Sequence, residues 1–363
     1  MTLVVKLGSS IVAADDGELR TEVLDSVCAQ VAQLEQGGER VVMVTSGAIA
    51  RGMRLMELPV RPRAMDELQA ASAVGQGDLF RAYESRLSSH GTRAAQVLLT
   101  AADISIRANY VNAGHTLLRL LEWGVVPIVN ENDTTATDEI TFGDNDFLAA
   151  QIAVLLRARL LVLLTNIDGV FNMHPAAQGA SIVREISNAA ALEGLEIGSE
   201  TSPFGRGGMG SKIAAAEMAS QSGVPVVICN GTKPNDLLRA VEGEMVGTRF
   251  PAHAGKTPAF KLWLKHAKAA RGAIYVDAGA ARRLREGGAS LLPVGVREIE
   301  GWFEPGDGVA IVDDERGQII GKGITEYSSR ELAEVAGLKS DEVRRRFPHA
   351  ADEVVHRDRF VLL

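Results

Sequence analysis

Two lysines in this chain stand where a lysine needs a physical reason. Lys6 interrupts the apolar run Leu3-Val4-Val5-Lys6-Leu7, which then breaks into Gly8-Ser9-Ser10. A charge inside a buried strand is costly unless paired, and the small residues after it leave backbone N–H groups to meet an anion. Lys212 falls in the first turn of a helix that follows the loop Gly205-Arg206-Gly207-Gly208-Met209-Gly210-Ser211. A cation there opposes the helix dipole, unless an anion sits at the terminus and the lysine neutralises it. Carboxylates are plentiful between the two lysines, and no histidine or cysteine lies near either turn. Phosphoryl transfer asks for little beyond positioning and charge neutralisation. An alcohol acceptor needs a base to take its proton, whereas a carboxylate, with a pKa of about 4, is already ionised. The pattern therefore points to phosphorylation of a carboxylate, giving an acyl phosphate. The structural alternatives are a lysine reaching out of an edge strand for Lys6 and a tolerated surface lysine for Lys212.

The elements that must hold these residues alternate. After the strand carrying Lys6, Leu24, Val27, Cys28, Val31 and Leu34 recur at helical spacing, and Gly37-Gly38 ends that helix. Arg40 to Thr45 is a second buried strand, and it too breaks into small residues, Ser46-Gly47-Ala48. An Ala-rich helical region from Met65 to Leu87 follows, then a strand near Ala95 to Leu99, a helix from Arg107 to Trp123 and a strand from Val125 to Val129. Leu160 to Leu164 and Val224 to Cys229 are further strands, and a short helix after Pro234 closes the domain near Phe250. Strands alternating with helices predict a mostly parallel α/β sheet with ligands at the carboxyl ends of its strands. Between Val129 and Phe147 runs a polar segment, Asn130-Glu131-Asn132-Asp133 through Gly143-Asp144-Asn145-Asp146. A solvated acidic loop is one reading; a substrate lid whose hinge Asn and Asp residues bind an amino group or position a metal is the better one.

Two readings of the glycine loop fail on context. Gly205-x-Gly207-x-x-Gly210 matches the dinucleotide fingerprint, but polar loop precedes it where a strand is required. The same stretch resembles a P-loop, yet continues Ser-Lys where Lys-Ser is needed. A nicotinamide-dependent dehydrogenase is therefore not expected. Length and composition bound the rest. With 363 residues, 46% hydrophobic and 23% charged, the chain predicts a globular protein of two domains. A net charge of −8 argues against a dedicated nucleic-acid binder. Cys28 and Cys229 form no metal or disulfide pattern, and Ile152 to Leu164, interrupted by Arg157 and Arg159, is too short to span a bilayer. With Lys6 also breaking any leader, a cytoplasmic protein is expected. Past a Pro- and Lys-rich stretch the texture changes to short strands at Ala273 to Val276, Val294 to Ile299, Gly308 to Val312 and Gln318 to Gly321. Ser328-x-x-Glu331 is a capping box before a short helix.

Taken in order, Lys6-Leu7-Gly8-Ser9-Ser10, Val44-Thr45-Ser46-Gly47-Ala48-Ile49-Ala50, Asn130-Glu131-Asn132-Asp133, Gly143-Asp144-Asn145-Asp146 and Gly207-Gly208-Met209-x-x-Lys212 resemble the motif series of the glutamate 5-kinase family. Members of that family carry an amino-acid kinase domain followed by a PUA domain. The stretches Gly272 to Gly279 and Gly288 to Gly295 resemble the PUA part. The resemblance implies a three-layer α/β/α sandwich with a mainly parallel sheet over residues 1–250, a linker at 251–270 and a β-rich pseudo-barrel over 271–363. It implies ATP- and Mg²⁺-dependent phosphorylation of the L-glutamate side chain, the first step of proline biosynthesis, with no protein-held metal. By the same resemblance Lys6 and Lys212 contact the ATP phosphates and Asp146 holds those lysines. Ser46, Gly47, Asp133 and Asn145 serve glutamate, with Gly8 and Gly47 letting backbone amides approach the phosphate. Thr165, Asn166, Arg206, Gly207, Gly208, Met209, Gly210, Ser211 and Lys212 line the nucleotide site. Asn166 and Arg206 depart from residues common in the family, and Asp168 could supply a nearby charge. The family further implies a homo-oligomer, dimer or tetramer, and gamma-glutamyl phosphate reductase as a channelling partner. It also implies proline feedback through the 130–146 loop. RNA binding by the second domain is not expected, because acidic side chains outnumber basic ones there and aromatics are few. The cluster Arg344-Arg345-Arg346 is explained by a helix surface.

Overall fold

The computed structural model describes residues 1–100, 103–104, 107–135, 145–187, 208–253, 261, 264–265, 270–347 and 350–363. The chain divides into two compact units, Met1–Lys256 and Thr257–Leu363.

In the first unit, Val- and Leu-rich runs form the strands β1 (Thr2–Leu7), β2 (Arg40–Val44), β3 (Arg93–Leu99), β4 (Val125–Glu131), β5 (Leu160–Thr165), β6 (Val226–Asn230) and β7 (Thr248–Phe250). They lie in the order β3-β4-β2-β1-β5-β6-β7. All pairings are parallel except β6 with β7. Burial on both faces explains why the central strands read as unbroken apolar runs rather than alternating ones. Leu3, Val5 and Leu7 share a core with Leu24, Val27 and Val31 of the helix Thr21–Gln36, with Leu79, Tyr83 and Leu87 of Met65–Ser89, and with Leu237 and Ala240 of Asp236–Glu242. The opposite face carries the helices Asn145–Leu155 and Met209–Gln221. This is the expected three-layer, mainly parallel sandwich.

The helix Ala48–Leu55 lies backbone against backbone on Met65–Ser89. A Cβ on Gly52 would fall 1.7 Å from the Ala71 carbonyl oxygen, and one on Gly75 would fall 2.0 Å from that of Ala48. Only hydrogen fits at either position, so these two glycines set the approach of the helices.

The second unit has the strands β8 (Gly272–Val276), β9 (Val296–Gly301), β10 (Gly308–Asp313), β11 (Gln318–Thr325) and β12 (Val355–Leu362), in the order β12-β11-β10-β8-β9. The pair β8 and β10 is parallel and the other pairs are antiparallel. Register shifts break three of the four ladders, the bends a sheet needs to curl over a core. The capping box is complete: the Ser328 N–H donates to the Glu331 carboxylate at 3.0 Å, and the Glu331 N–H donates to Ser328 Oγ at 3.2 Å.

Several elements were invisible or misplaced in the sequence. Strand β7 is three residues long, and β12 carries His356, Arg357, Asp358 and Arg359 in its middle, so neither gives an apolar run. The helix Ala278–Glu286 buries only Ala281 and Leu284, too few to make a stripe, whereas Arg344 to Arg346 do lie on a helix, Ser340–Arg346, as their clustering suggested. Asn145 and Asp146, which the sequence places in the polar segment, are helical and buried in the first turn of Asn145–Leu155. Much of 251–270 and the middle of the 130–146 segment lie outside the described residues.

Candidate active site

Side chains alternate along a strand, so with Leu3, Val5 and Leu7 in the core already described, Lys6 emerges on the other face of β1. There it meets the first turn of the helix Asn145–Leu155. Asp146 is fully buried, and Lys6 Nζ lies 2.6 Å from its Oδ1. On its second oxygen, Lys212 Nζ donates at 3.0 Å. Lys212 arrives from the first turn of Met209–Gln221, whose preceding residue Gly208 is extended and caps no N–H with a side chain. Both lysines are themselves buried, at 3% and 6% exposure. One carboxylate thus fixes two ammonium groups at a set separation, and the pairing offsets the cost of taking all three charges out of water. The structure thus brings together two lysines that the sequence offered separately, each pointing to an anion, and holds them on one carboxylate.

A second cluster gathers beside it at the ends of β2 and β4. Asn145 Nδ2 donates to the Thr45 carbonyl at 2.6 Å and to Asn130 Oδ1 at 2.7 Å, with Ser46 Oγ at 3.3 Å. Asn130 Nδ2 in turn donates to Gln76 Oε1 at 2.6 Å. Asp133 is buried and accepts from Ser72 Oγ at 2.5 Å. Burial pushes the Asp133 carboxyl above its ordinary range, and the Ser72 hydroxyl and the Arg61 charge pull the other way. Gly47 stands between these groups with a positive φ of 99°, a left-handed turn that a side chain would strain, and so converts the end of β2 into the helix Ala48–Leu55. Ser46, Gly47, Asp133 and Asn145 are therefore brought to one edge of the sheet. The sequence did not single out Ser72 and Gln76. Their spacing of four residues was the available signal, since it places two polar side chains on the buried face that carries Leu68, Ala71, Gly75 and Leu79.

Around the ends of β5 and β6, Thr165 is buried and its carbonyl accepts from the Gly231 N–H at 2.8 Å. Asn166 next to it is exposed. Asp168 accepts from Asn230 Nδ2 at 2.8 Å and Lys233 Nζ at 2.7 Å; the Lys233 bond, then the Asn230 bond, hold its carboxyl below the usual range. Lys233 and Asn230 are two further polar groups at this edge that the motif reading passed over. Gly208, Met209, Gly210 and Ser211 form the approach to Lys212, and Ser211 Oγ donates back to the Gly208 carbonyl at 2.9 Å. Arg206 and Gly207 lie outside the described residues. One expectation is corrected: the Gly8 N–H is not left for a phosphate, because it donates to the Leu164 carbonyl at 3.1 Å. The amides of Ser9 and Ser10 precede the first backbone bond of the following turn and take no carbonyl among the described residues. Among the described residues no group of three or more His, Cys, Asp or Glu side chains is placed to hold a metal ion, and no helix is long and apolar enough to cross a membrane.

Known proteins resemble this chain along nearly its whole length. Residues 1–230 match the amino acid kinase family, and residues 272–347 match the PUA domain. The proteins described as glutamate 5-kinase from Burkholderia mallei (strain SAVP1) and Burkholderia pseudomallei (strain K96243) are each 45% identical over 363 residues, covering 99% of this chain and 97% of theirs. Among solved structures, the isopentenyl phosphate kinase product complex of T. acidophilum aligns with a TM-score of 0.49 at 19% identity, covering 69% of this chain and all of that one (100%).

Proposed function

The chain belongs to the amino acid kinase family, among the glutamate 5-kinases, and on that premise we propose how its residues divide the work of phosphorylating the L-glutamate side chain with ATP. The observation that carries the proposal is the Lys6–Asp146–Lys212 group, with ion-pair distances of 2.6 and 3.0 Å. In the reaction, an oxygen of the glutamate side-chain carboxylate forms a bond to the γ-phosphorus of ATP. The bond from that phosphorus to the β–γ bridging oxygen breaks, and ADP leaves with the electron pair. No proton moves, so no base is needed. Lys6 and Lys212 neutralise the oxygens of the transferring group, Asp146 keeps the two ammonium groups apart and aimed, and the amides of Ser9 and Ser10 add donors. Asp133, Asn145 and Ser46 hold glutamate. Thr165, Asn166 and 206–211 receive the nucleotide, with Asp168 and Lys233 at the same edge.

Mg²⁺ accompanies ATP in this reading. The Asp146 carboxylate is taken up by Lys6 and Lys212, so the ion would arrive with the nucleotide and would add positive charge at its phosphates. The product, gamma-glutamyl 5-phosphate, is a labile acyl phosphate whose consumer is a reductase, and proline biosynthesis in the cytoplasm is the setting. Residues 1–250 act as the kinase domain, 251–270 as linker and 271–363 as the PUA-like domain of a dimer or tetramer. The test is trapping with hydroxylamine. Purified chain with ATP, Mg²⁺ and glutamate should yield the hydroxamate, and aspartate or N-acetylglutamate should yield far less. Product from either of those two and none from glutamate would move the assignment to another kinase of the family.

A further inference from the structure

Beside the clamp, the side-chain amides of Asn145, Asn130 and Gln76 form a chain that can run in one sense. A backbone carbonyl only accepts, so the Asn145 atom 2.6 Å from the Thr45 oxygen is Nδ2. The second hydrogen of that nitrogen goes to Asn130 at 2.7 Å, which makes the facing atom Asn130 Oδ1. Asn130 therefore presents its own Nδ2 to Gln76, and Gln76 must answer with Oε1, at 2.6 Å. All of these side chains are buried, where a donor facing a donor is heavily penalised, so the sense set at Thr45 propagates outward. Asn145 Oδ1 takes no hydrogen bond among the described residues.

We infer that Gln76 is a positioning residue for substrate selection. By accepting from Asn130 it holds Asn130 Oδ1 against Asn145 Nδ2, and it thereby leaves Asn145 offering the substrate an oxygen and no N–H. An oxygen acceptor suits the α-ammonium group of an amino acid, as does the neighbouring Asp133 carboxylate; an amide N–H would repel it. With Gln76 gone, the Asn130 amide is free to turn, and in its turned form it sets a donor against Asn145 Nδ2 and displaces it. The inference rests on the proposed reading of this pocket as the glutamate site.

The experiment compares glutamate with glutarate, which has the same two carboxylates and lacks the ammonium group. Hydroxamate formation gives the acceptor kinetics, and glutarate is also measured as a competitive inhibitor. Gln76→Met keeps chain length and helix propensity and removes the acceptor. Its glutamate KM should rise about tenfold or more, while glutarate binding and the KM for ATP hold within about twofold, so the preference for glutamate narrows by the same factor. Gln76→Glu keeps an accepting oxygen and should restore that preference to within about threefold of wild type; it also carries the test if Gln76→Met folds poorly. An unchanged glutamate KM in Gln76→Met, an equal loss on both ligands, or no recovery in Gln76→Glu would overturn the inference. Failure of the wild-type chain to phosphorylate glutamate would be a different result, and would remove the kinase reading itself.

Discussion

Replacing Lys6 with methionine separates the clamp from the glutamate pocket. The substitution is close in volume and removes one charge, and Asp146 keeps Lys212 at 3.0 Å, so the fully buried carboxylate is not left without a counter-charge. The fold should survive for that reason, with a loss below the about 3–5 kcal/mol expected when a buried pair is broken outright. The catalytic cost is larger. A unit charge about 3 Å from a phosphoryl oxygen, at an effective dielectric of about 20, is worth about 5 kcal/mol. ATP already carries most of that charge before reaction, so roughly half of it or somewhat more, about 2.5–4 kcal/mol, appears as selective stabilisation of the transition state, in line with the loss of one oxyanion donor. Lys6→Met should therefore lower kcat by about 10²–10³ at saturating ATP and glutamate, with glutamate KM unchanged within about threefold. Steady-state hydroxamate assays read both constants, and the thermal midpoint checks folding. A kcat within about threefold of wild type, or a loss carried by glutamate KM, would refute the assignment of Lys6 to the transferring phosphate.

Three other perturbations test separate parts of the structure. Asp133 must be ionised to attract an ammonium group, and burial raises its pKa while the Ser72 hydroxyl lowers it, so Ser72→Ala should move the acid limb of kcat/KM for glutamate to higher pH. The substrate's own carboxyl, near pKa 4.3 or so, titrates identically in both proteins, so an unmoved limb would remove Asp133 from glutamate binding. Gly52→Ala forces a methyl group to within 1.7 Å of the Ala71 carbonyl oxygen and should cost about 3 kcal/mol or more in urea unfolding, because backbone and not a flexible side chain must give way. In the second unit, Ser328→Ala removes one arm of the capping box and should cost about 1 kcal/mol, seen as roughly fivefold faster hydrogen exchange in the helix Ser329–Val335.

Much of the architecture could be read from local rules. The strand runs Leu3 to Leu7, Arg40 to Val44 and Leu160 to Leu164 are largely apolar on both faces, the helix Thr21–Gln36 shows its stripe, and Gly37 closes it. The elements that escaped were those with little apolar content, such as β12 with Arg357, Asp358 and Arg359, or with too few residues, such as β7. There, pairing with a neighbouring strand supplies the stability, and no periodicity within the segment announces it.

The candidate site divides the same way. That Lys6 leaves β1 on the face opposite Leu3, Val5 and Leu7 follows from the alternation of side chains along a strand, and that Lys212 opens a helix follows from the glycines before it. Those are properties of short stretches of chain, and sequence alone determined them. That the two lysines share Asp146 was implied by the family resemblance and by no local pattern, while tertiary structure alone decided that Ser72 and Gln76 turn toward Asp133 and Asn130 and that the Gly8 N–H is spent on Leu164. Each of these contacts joins elements distant in the chain. Sheet order and the close crossing at Gly52 and Gly75 set their distances, and no local pattern of residues encodes either one.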